Sequence, residues 1–254
     1  MLKITETEVF GWKAAIRGMR NAHESWEKSD SFIPCWVKTK CHECEASQKC
    51  AYYFEDGEPY KKDEFIGPND FTLMKKLVAA GTDHSKFMRM IHVQSDWEAP
   101  LYWWKEADTY KVGTVRNSCS TMHKITAHEF TMDMFSHEHL FDFCPSEHHN
   151  STDILEITIE HLNAMRKVLN SLDQDDPLRK EYWWQLIKLL PSSYNQKATM
   201  DLNYQVLRKM YHARKHHKQD EWRVDFCNWV KSLPYSELIT MTKGELLESI
   251  KEEN

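Results

Sequence analysis

Apolar positions fall in short unbroken runs in the first half of the chain and at helical spacing in the second. Glu8-Val9-Phe10 predicts a short strand, and Lys13 to Arg20 a helix. Asn69-Asp70 offers a cap for a helix carrying Phe71, Leu73 and Leu77 that stops at Gly81. Phe87 to Val93, polar only at Arg89 and His92, predicts a strand, and Ala99-Pro100 begins a helix through Leu101-Tyr102-Trp103-Trp104. Residues 107–123 read as an irregular loop. From Asp153 to Leu172, the apolar residues Ile154, Ile157, Leu162, Met165 and Leu169 predict one helix. Asp175-Asp176-Pro177 starts another that ends at Leu190-Pro191. Helices over about 200–217 and 219–232 follow, and Thr242-Lys243-Gly244-Glu245 reads as a capping box for the last. Few strands followed by many helices predict an α+β fold, with residues 1–254 forming one domain. A polar, turn-rich segment at about 31–66 reads as an insert.

Composition narrows the function classes. Glycine is scarce, 7 of 254 residues, and no G-x-G-x-x-G or G-x-x-x-x-G-K occurs, which argues against a glycine-rich phosphate cradle. Ten tryptophans argue against disorder, because ring surface favours burial. A net charge of −6 argues against a protein that coats nucleic acid, so any anion site must be a local basic patch. Met1 to Glu8 has no apolar signal segment and no run reaches the length of a membrane span, so a cytoplasmic protein is expected.

Four of seven cysteines cluster as Cys35, Cys41, Cys44 and Cys50, with a C-x2-C knuckle at Cys41-His42-Glu43-Cys44. Four sulfurs within sixteen residues suit a closed structural zinc site, and equally a polar loop of reduced thiols. His128, His137, His139, His148 and His149 lie in a polar stretch where H-x-H and H-H pairs can bind metal but are more often exposed.

Two segments resemble the flavin-dependent thymidylate synthases. Pro100 to Glu106 resembles the helix that precedes that family's R-H-R and anion loop. Thr109-Tyr110-Lys111 stands in the R-H-R place, and Gly113 to His123 follows as a loop one residue longer than the family's. Asn117 and Ser120 keep the mutual spacing of the family's asparagine and serine. Lys111 keeps the charge of the last arginine. Glu106 stands for an upstream glutamine, Ser118 for a glutamate, Met122 for an arginine and His123 for a tyrosine. Further on, Leu190-Pro191, Asn203, Arg214 and Gln219-Asp220-Glu221-Trp222-Arg223 resemble the family's second conserved stretch. The agreement covers about 84–124 and 186–232. The pattern is that of a diverged branch, of the kind phages encode.

The resemblance implies methylation of uracil C5 in a deoxyuridine nucleotide (dUMP), giving dTMP. Methylenetetrahydrofolate is the carbon donor, and FAD reduced by NADPH supplies the hydride. That mechanism needs no protein nucleophile, so the catalytic residues are unknown at this stage. The implied cofactor-binding residues are Arg89, Lys111, Asn117 and Asn203, and the implied substrate-binding residues Glu106, Ser120 and Arg214. The family's homotetramer, with sites shared between subunits, implies a homo-oligomer. Positive charge would come from Lys111 and Arg116, from His123-Lys124, and from the run Arg208 to Lys218. The residues also admit plainer roles: a solvated basic face, a turn at Asn117, a cap at Ser120. Two other functions stay open: a nucleotide-binding protein of the same fold with decayed catalysis, and a zinc-knuckle interaction protein.

Overall fold

A computed structural model describes residues 1–31, 52–55, 58–61, 66–143 and 148–252. The four clustered cysteines lie outside the described residues. The elements in chain order are β1 (Lys3–Phe10), α1 (Trp12–Asn21), β2 (Tyr52–Glu55), β3 (Glu58–Lys61), α2 (Pro68–Ala80), β4 (His92–Pro100), α3 (Leu101–Ala107), β5 (Val115–Ser118), α4 (Thr121–Lys124), α5 (Ser151–Ser171), α6 (Leu178–Leu189), β6 (Asn195–Asn203), α7 (Tyr204–Arg214), α8 (Cys227–Ser232), α9 (Glu237–Thr240) and α10 (Lys243–Glu252). A π-helical stretch, Glu221–Phe226, runs directly into α8. The fold is mixed helix and sheet, α+β. No helix among the described residues is long and apolar enough to cross a membrane. The chain divides into two compact units.

The first unit comprises Met1–Glu8, Gln94–Asp201 and Arg214–Trp229. Its sheet has the order β1-β4-β6-β5, with β5 antiparallel to β6 in the register Val115↔Asp201 to Ser118↔Ala198. β6 alternates by the period-two rule: Ala198 and Met200 are buried, Lys197 and Thr199 exposed. Trp97 meets Trp103, Phe226 and Trp229 edge-on, and Trp103 stacks on Trp222 with ring centroids 4.4 Å apart. A second cluster joins α5 and α6 through Leu155, Ile159, Leu162, Leu169 and Leu186, with Ile125, Phe130 and Phe135 beneath. Burying each such side chain stabilises by about 1.5–3 kcal/mol.

The second unit comprises Val9–Val93, Leu202–Ala213 and Val230–Asn254. Trp12 packs edge-on against Tyr204 and Tyr235, and α10 lies along α2. α1 starts at Gly11, whose φ of +99° and close approach to the Met90 carbonyl leave no room for a side chain. Arg20 and Asp70 form a buried ion pair, Nε to Oδ1 at 2.6 Å. The other Asp70 oxygen accepts from the hydroxyls of Ser29 and Ser31, both at 2.6 Å.

Several sequence expectations need correction. The cap of α2 is at Gly67 with Pro68 following; Asp70 is turned inward to Arg20 instead. Phe87–Val93 is not a single strand: Lys86–Met90 is a 3₁₀ turn and β4 begins at His92. The 107–123 loop contains β5, an edge strand whose polar, exposed sequence gives no apolar signal. The helix expected from 200 starts at Tyr204, after β6. On α5, Ile154 and Ile157 are exposed, and the buried stripe is Leu155, Ile159, Leu162 and Leu169. The Thr242 capping box is present: Thr242 N–H donates to Glu245 at 2.6 Å, and Glu245 N–H returns to the Thr242 hydroxyl at 3.4 Å.

Candidate functional site

Arg214 closes α7 and engages α3 and the turn after it. Its Nη1 donates to Glu106 Oε2 at 2.8 Å, and its Nε donates to the Tyr110 hydroxyl at 3.0 Å. The guanidinium lies 5.0 Å from the Trp222 ring centroid and 5.6 Å from that of Tyr110, so aromatic faces wall it on two sides. His217 brings Nε2 to 3.3 Å from the same Glu106 oxygen. The Gln219 backbone N–H donates to His217 Nδ1, which leaves Nε2 as the protonated nitrogen facing Glu106. Arg214 and His217 are largely shielded, and Glu106 is about one-third exposed. Among the described residues Arg214 Nη2 meets no hydrogen-bond acceptor. The arrangement is a carboxylate held by two donors, with donor capacity to spare.

In the sequence Glu106 and Arg214 are linked only as members of one implied substrate site, and nothing local signals that they touch. His217 is expected only as one of the basic run Arg208 to Lys218, and Tyr110 is expected to take no part. The signal for His217 was its place one turn beyond Arg214 in the basic run. Tyr110 gave none, because it replaces a cation of the resembled motif. Ser120 has its hydroxyl on the His123 backbone N–H at 3.1 Å, capping α4. Asn117 lies on β5 opposite Thr199, and its side chain is exposed. Lys111 is exposed. Arg116 is not an open cation: it pairs with Asp108 at 2.7 Å and lies 3.8 Å over the Trp104 ring.

In the second unit, Arg89 is exposed in the 3₁₀ turn before β4. Asn203 is buried, and its side-chain oxygen accepts the Val206 N–H at 3.0 Å, starting α7. Arg208 donates to the Leu238 and Ile239 carbonyls at 2.9 and 3.1 Å, closing α9, and burial lowers its pKa. Within the basic run, Arg208 is taken up by backbone carbonyls and Arg214 by Glu106 and Tyr110, while Lys209 and Lys218 are exposed. Lys111 and Asn117 present open donors of the kind a dinucleotide pyrophosphate requires, and Arg89 presents one in its own unit, so these residues fit FAD; Asn203 has only its amide nitrogen left.

A separate cleft of about 770 Å³ in the first unit is lined by Tyr102, Ser136, Glu138, Lys218, Glu221 and Asp225. Tyr102 donates to Glu221, and burial together with that carboxylate raises the phenol well above its ordinary pKa. Among the described residues no group of three or more His, Cys, Asp or Glu is placed to hold a metal ion. His139 instead pairs with Asp220 at 3.3 Å, and His137 Nδ1 contacts the Phe135 carbonyl at 2.8 Å.

No protein-family model matches the chain, and no curated protein matches it. Among solved structures it is similar to the flavin-dependent thymidylate synthase ThyX from Helicobacter pylori complexed with FAD and dUMP. The identity is 12% and the TM-score 0.55, covering 92% of this chain and 96% of that one. A second ThyX structure from Helicobacter pylori, also with FAD and dUMP, gives 11% identity and a TM-score of 0.56, covering 94% and 96%. The likeness is one of fold.

Proposed function

We propose that the protein is a ThyX-like nucleotide enzyme that binds FAD and a deoxyuridine nucleotide and methylates the uracil ring, with methylenetetrahydrofolate and NADPH as co-substrates. One observation carries the reading. Glu106 and Arg214, 108 positions apart, are assigned to the same nucleotide by motif resemblance, and they touch, on a fold similar to that of FAD- and dUMP-bound ThyX. Arg214 binds the nucleotide phosphate through its planar fork, and Ser120 adds a hydroxyl from the turn after β5. Lys111 and Asn117, both in the first unit, hold the cofactor's anionic portion. FAD, when bound, supplies the redox chemistry; the protein orients the ligands and excludes water. A homo-oligomer, a tetramer by resemblance, belongs to the same reading.

The test is the absorbance spectrum of the purified chain with and without added FAD. The expected result is a flavin band near about 450 nm that sharpens or shifts on binding. A colourless protein that takes up no FAD overturns the enzyme reading. A second reading is favoured by Thr109 and Tyr110 standing where two cations are expected, and by a carboxylate in the Arg214 fork: a nucleotide-binding protein without catalysis. Binding of dUMP without binding of FAD selects it. Structural zinc at Cys35, Cys41, Cys44 and Cys50, with or without a partner-binding role, is tested by metal analysis of wild type against Cys41→Ser and Cys44→Ser. Zinc retained in both variants removes it.

A further inference from the structure

The geometry points to Glu106 as an internal plug: a carboxylate that occupies an anion site formed by Arg214 and His217, and that a phosphate group must displace in order to bind. Three features carry this. Donors outnumber acceptors, since one Glu106 oxygen receives both Arg214 Nη1 at 2.8 Å and His217 Nε2 at 3.3 Å, while among the described residues Arg214 Nη2 meets no hydrogen-bond acceptor. The fork is preorganised, because Trp222 and Tyr110 wall the guanidinium and Tyr110 holds Nε at 3.0 Å. The His217 ring is fixed by the Gln219 N–H on Nδ1, which aims Nε2–H at the oxygen without requiring a charged imidazole.

Such a site suits a planar or tetrahedral oxyanion. A carboxylate supplies the right charge but only two oxygens, whereas a phosphate monoester brings three and up to two charges, enough to reach Nη2 as well. Glu106 is about one-third exposed, so its hold on the fork is screened and readily exchanged. Plugging keeps the half-buried arginine paired when no ligand is present, and it sets a threshold: neutral ligands and weak anions do not open the site. Replacing the carboxylate by an amide of the same shape removes the competing charge and leaves the cluster more positive by one.

The inference deepens the nucleotide reading but rests on it only for what carries the phosphate. The experiment is calorimetric titration of the full chain, wild type and Glu106→Gln, with inorganic phosphate, dUMP and deoxyuridine. Glu106→Gln is expected to bind inorganic phosphate and dUMP about tenfold more tightly than wild type, with deoxyuridine unchanged, and the gain is expected to vanish in Glu106→Gln/Arg214→Ala. Unchanged or weaker phosphate binding in Glu106→Gln, or a gain that survives loss of Arg214, overturns the plug. Glu106→Asp, a shorter acid that draws back from the fork, gives a second measure should the amide variant fail to fold; circular dichroism distinguishes the cases, and no gain there overturns the plug equally. A phosphate gain with dUMP no better than phosphate leaves the plug standing and removes the nucleotide reading. Binding of dUMP and FAD by wild type, with no gain in the variant, does the reverse.

Discussion

Asp70 is fully buried, and its environment decides how it titrates. Burial alone would raise its pKa, but hydrogen bonds from Ser29, Ser31 and Arg20, with the Arg20 charge, outweigh burial and hold it below the ordinary carboxylate value. A carboxylate with a folded pKa below its unfolded value contributes stability that is full above the unfolded value and lost as pH falls through the folded one. Asp70→Asn is therefore expected to lower the unfolding free energy by about 3–5 kcal/mol at pH 7, because it leaves Arg20 buried without its counter-charge. It should also remove part of the wild type's loss of stability below about pH 4, the ordinary carboxylate range. Urea titrations of both proteins at pH 7 and pH 3 measure this; an equal acid loss in the two would show that Asp70 does not carry it. Gly11 is the second sensitive position, since a Cβ there would stand 1.9 Å from the Met90 carbonyl oxygen. Arg20 and Asp70 were readable only as members of helices, because a contact 50 positions long leaves no local pattern. The same holds for Tyr110 against Arg214, 104 positions apart.

Among the elements, those with strong local signals were legible. The helices starting near Pro100 and Asp153, the one ending at Leu190-Pro191, and the capping box at Thr242 all follow from caps, prolines and periodicity. What was lost lies where neighbouring chain overrides local preference. β6 carries Ala198 and Met200 in strand alternation, but both are good helix formers, and pairing with β4 on one side and β5 on the other makes the segment extended. On α5 a helical period fits more than one face, and the contacts with α6 select the stripe through Leu162. Leu162→Ala is accordingly expected to cost about 2–5 kcal/mol, whereas Ile157→Ala, at an exposed position, should stay within about 0.5 kcal/mol. Thermal melts of the two variants separate these outcomes, and equal losses would place the stripe elsewhere. Thr242→Ala is expected to cost about 1 kcal/mol by uncapping α10, read by the same melts.

For the whole molecule the net charge is −6, and of the cations the sequence offers for an anion site Arg208 is taken up by backbone carbonyls, Arg116 by Asp108 and Arg214 by Glu106. Light scattering is expected to give a mass about four times 30.3 kDa if the proposed oligomer forms, and a monomer would count against a site shared between subunits. Gly67 N–H donates to the Ser31 hydroxyl at 3.0 Å, and Asn69 N–H to Asp30 at 2.8 Å, so the two chain ends flanking residues 32–65 are already held together by the second unit. Closure entropy grows only with the logarithm of loop length, about 0.6 kcal/mol per doubling. Replacing the chain between Ser31 and Ile66 by a short glycine-serine bridge is therefore expected to leave the second unit's melting temperature nearly unchanged, since the anchorage on either side stays in place.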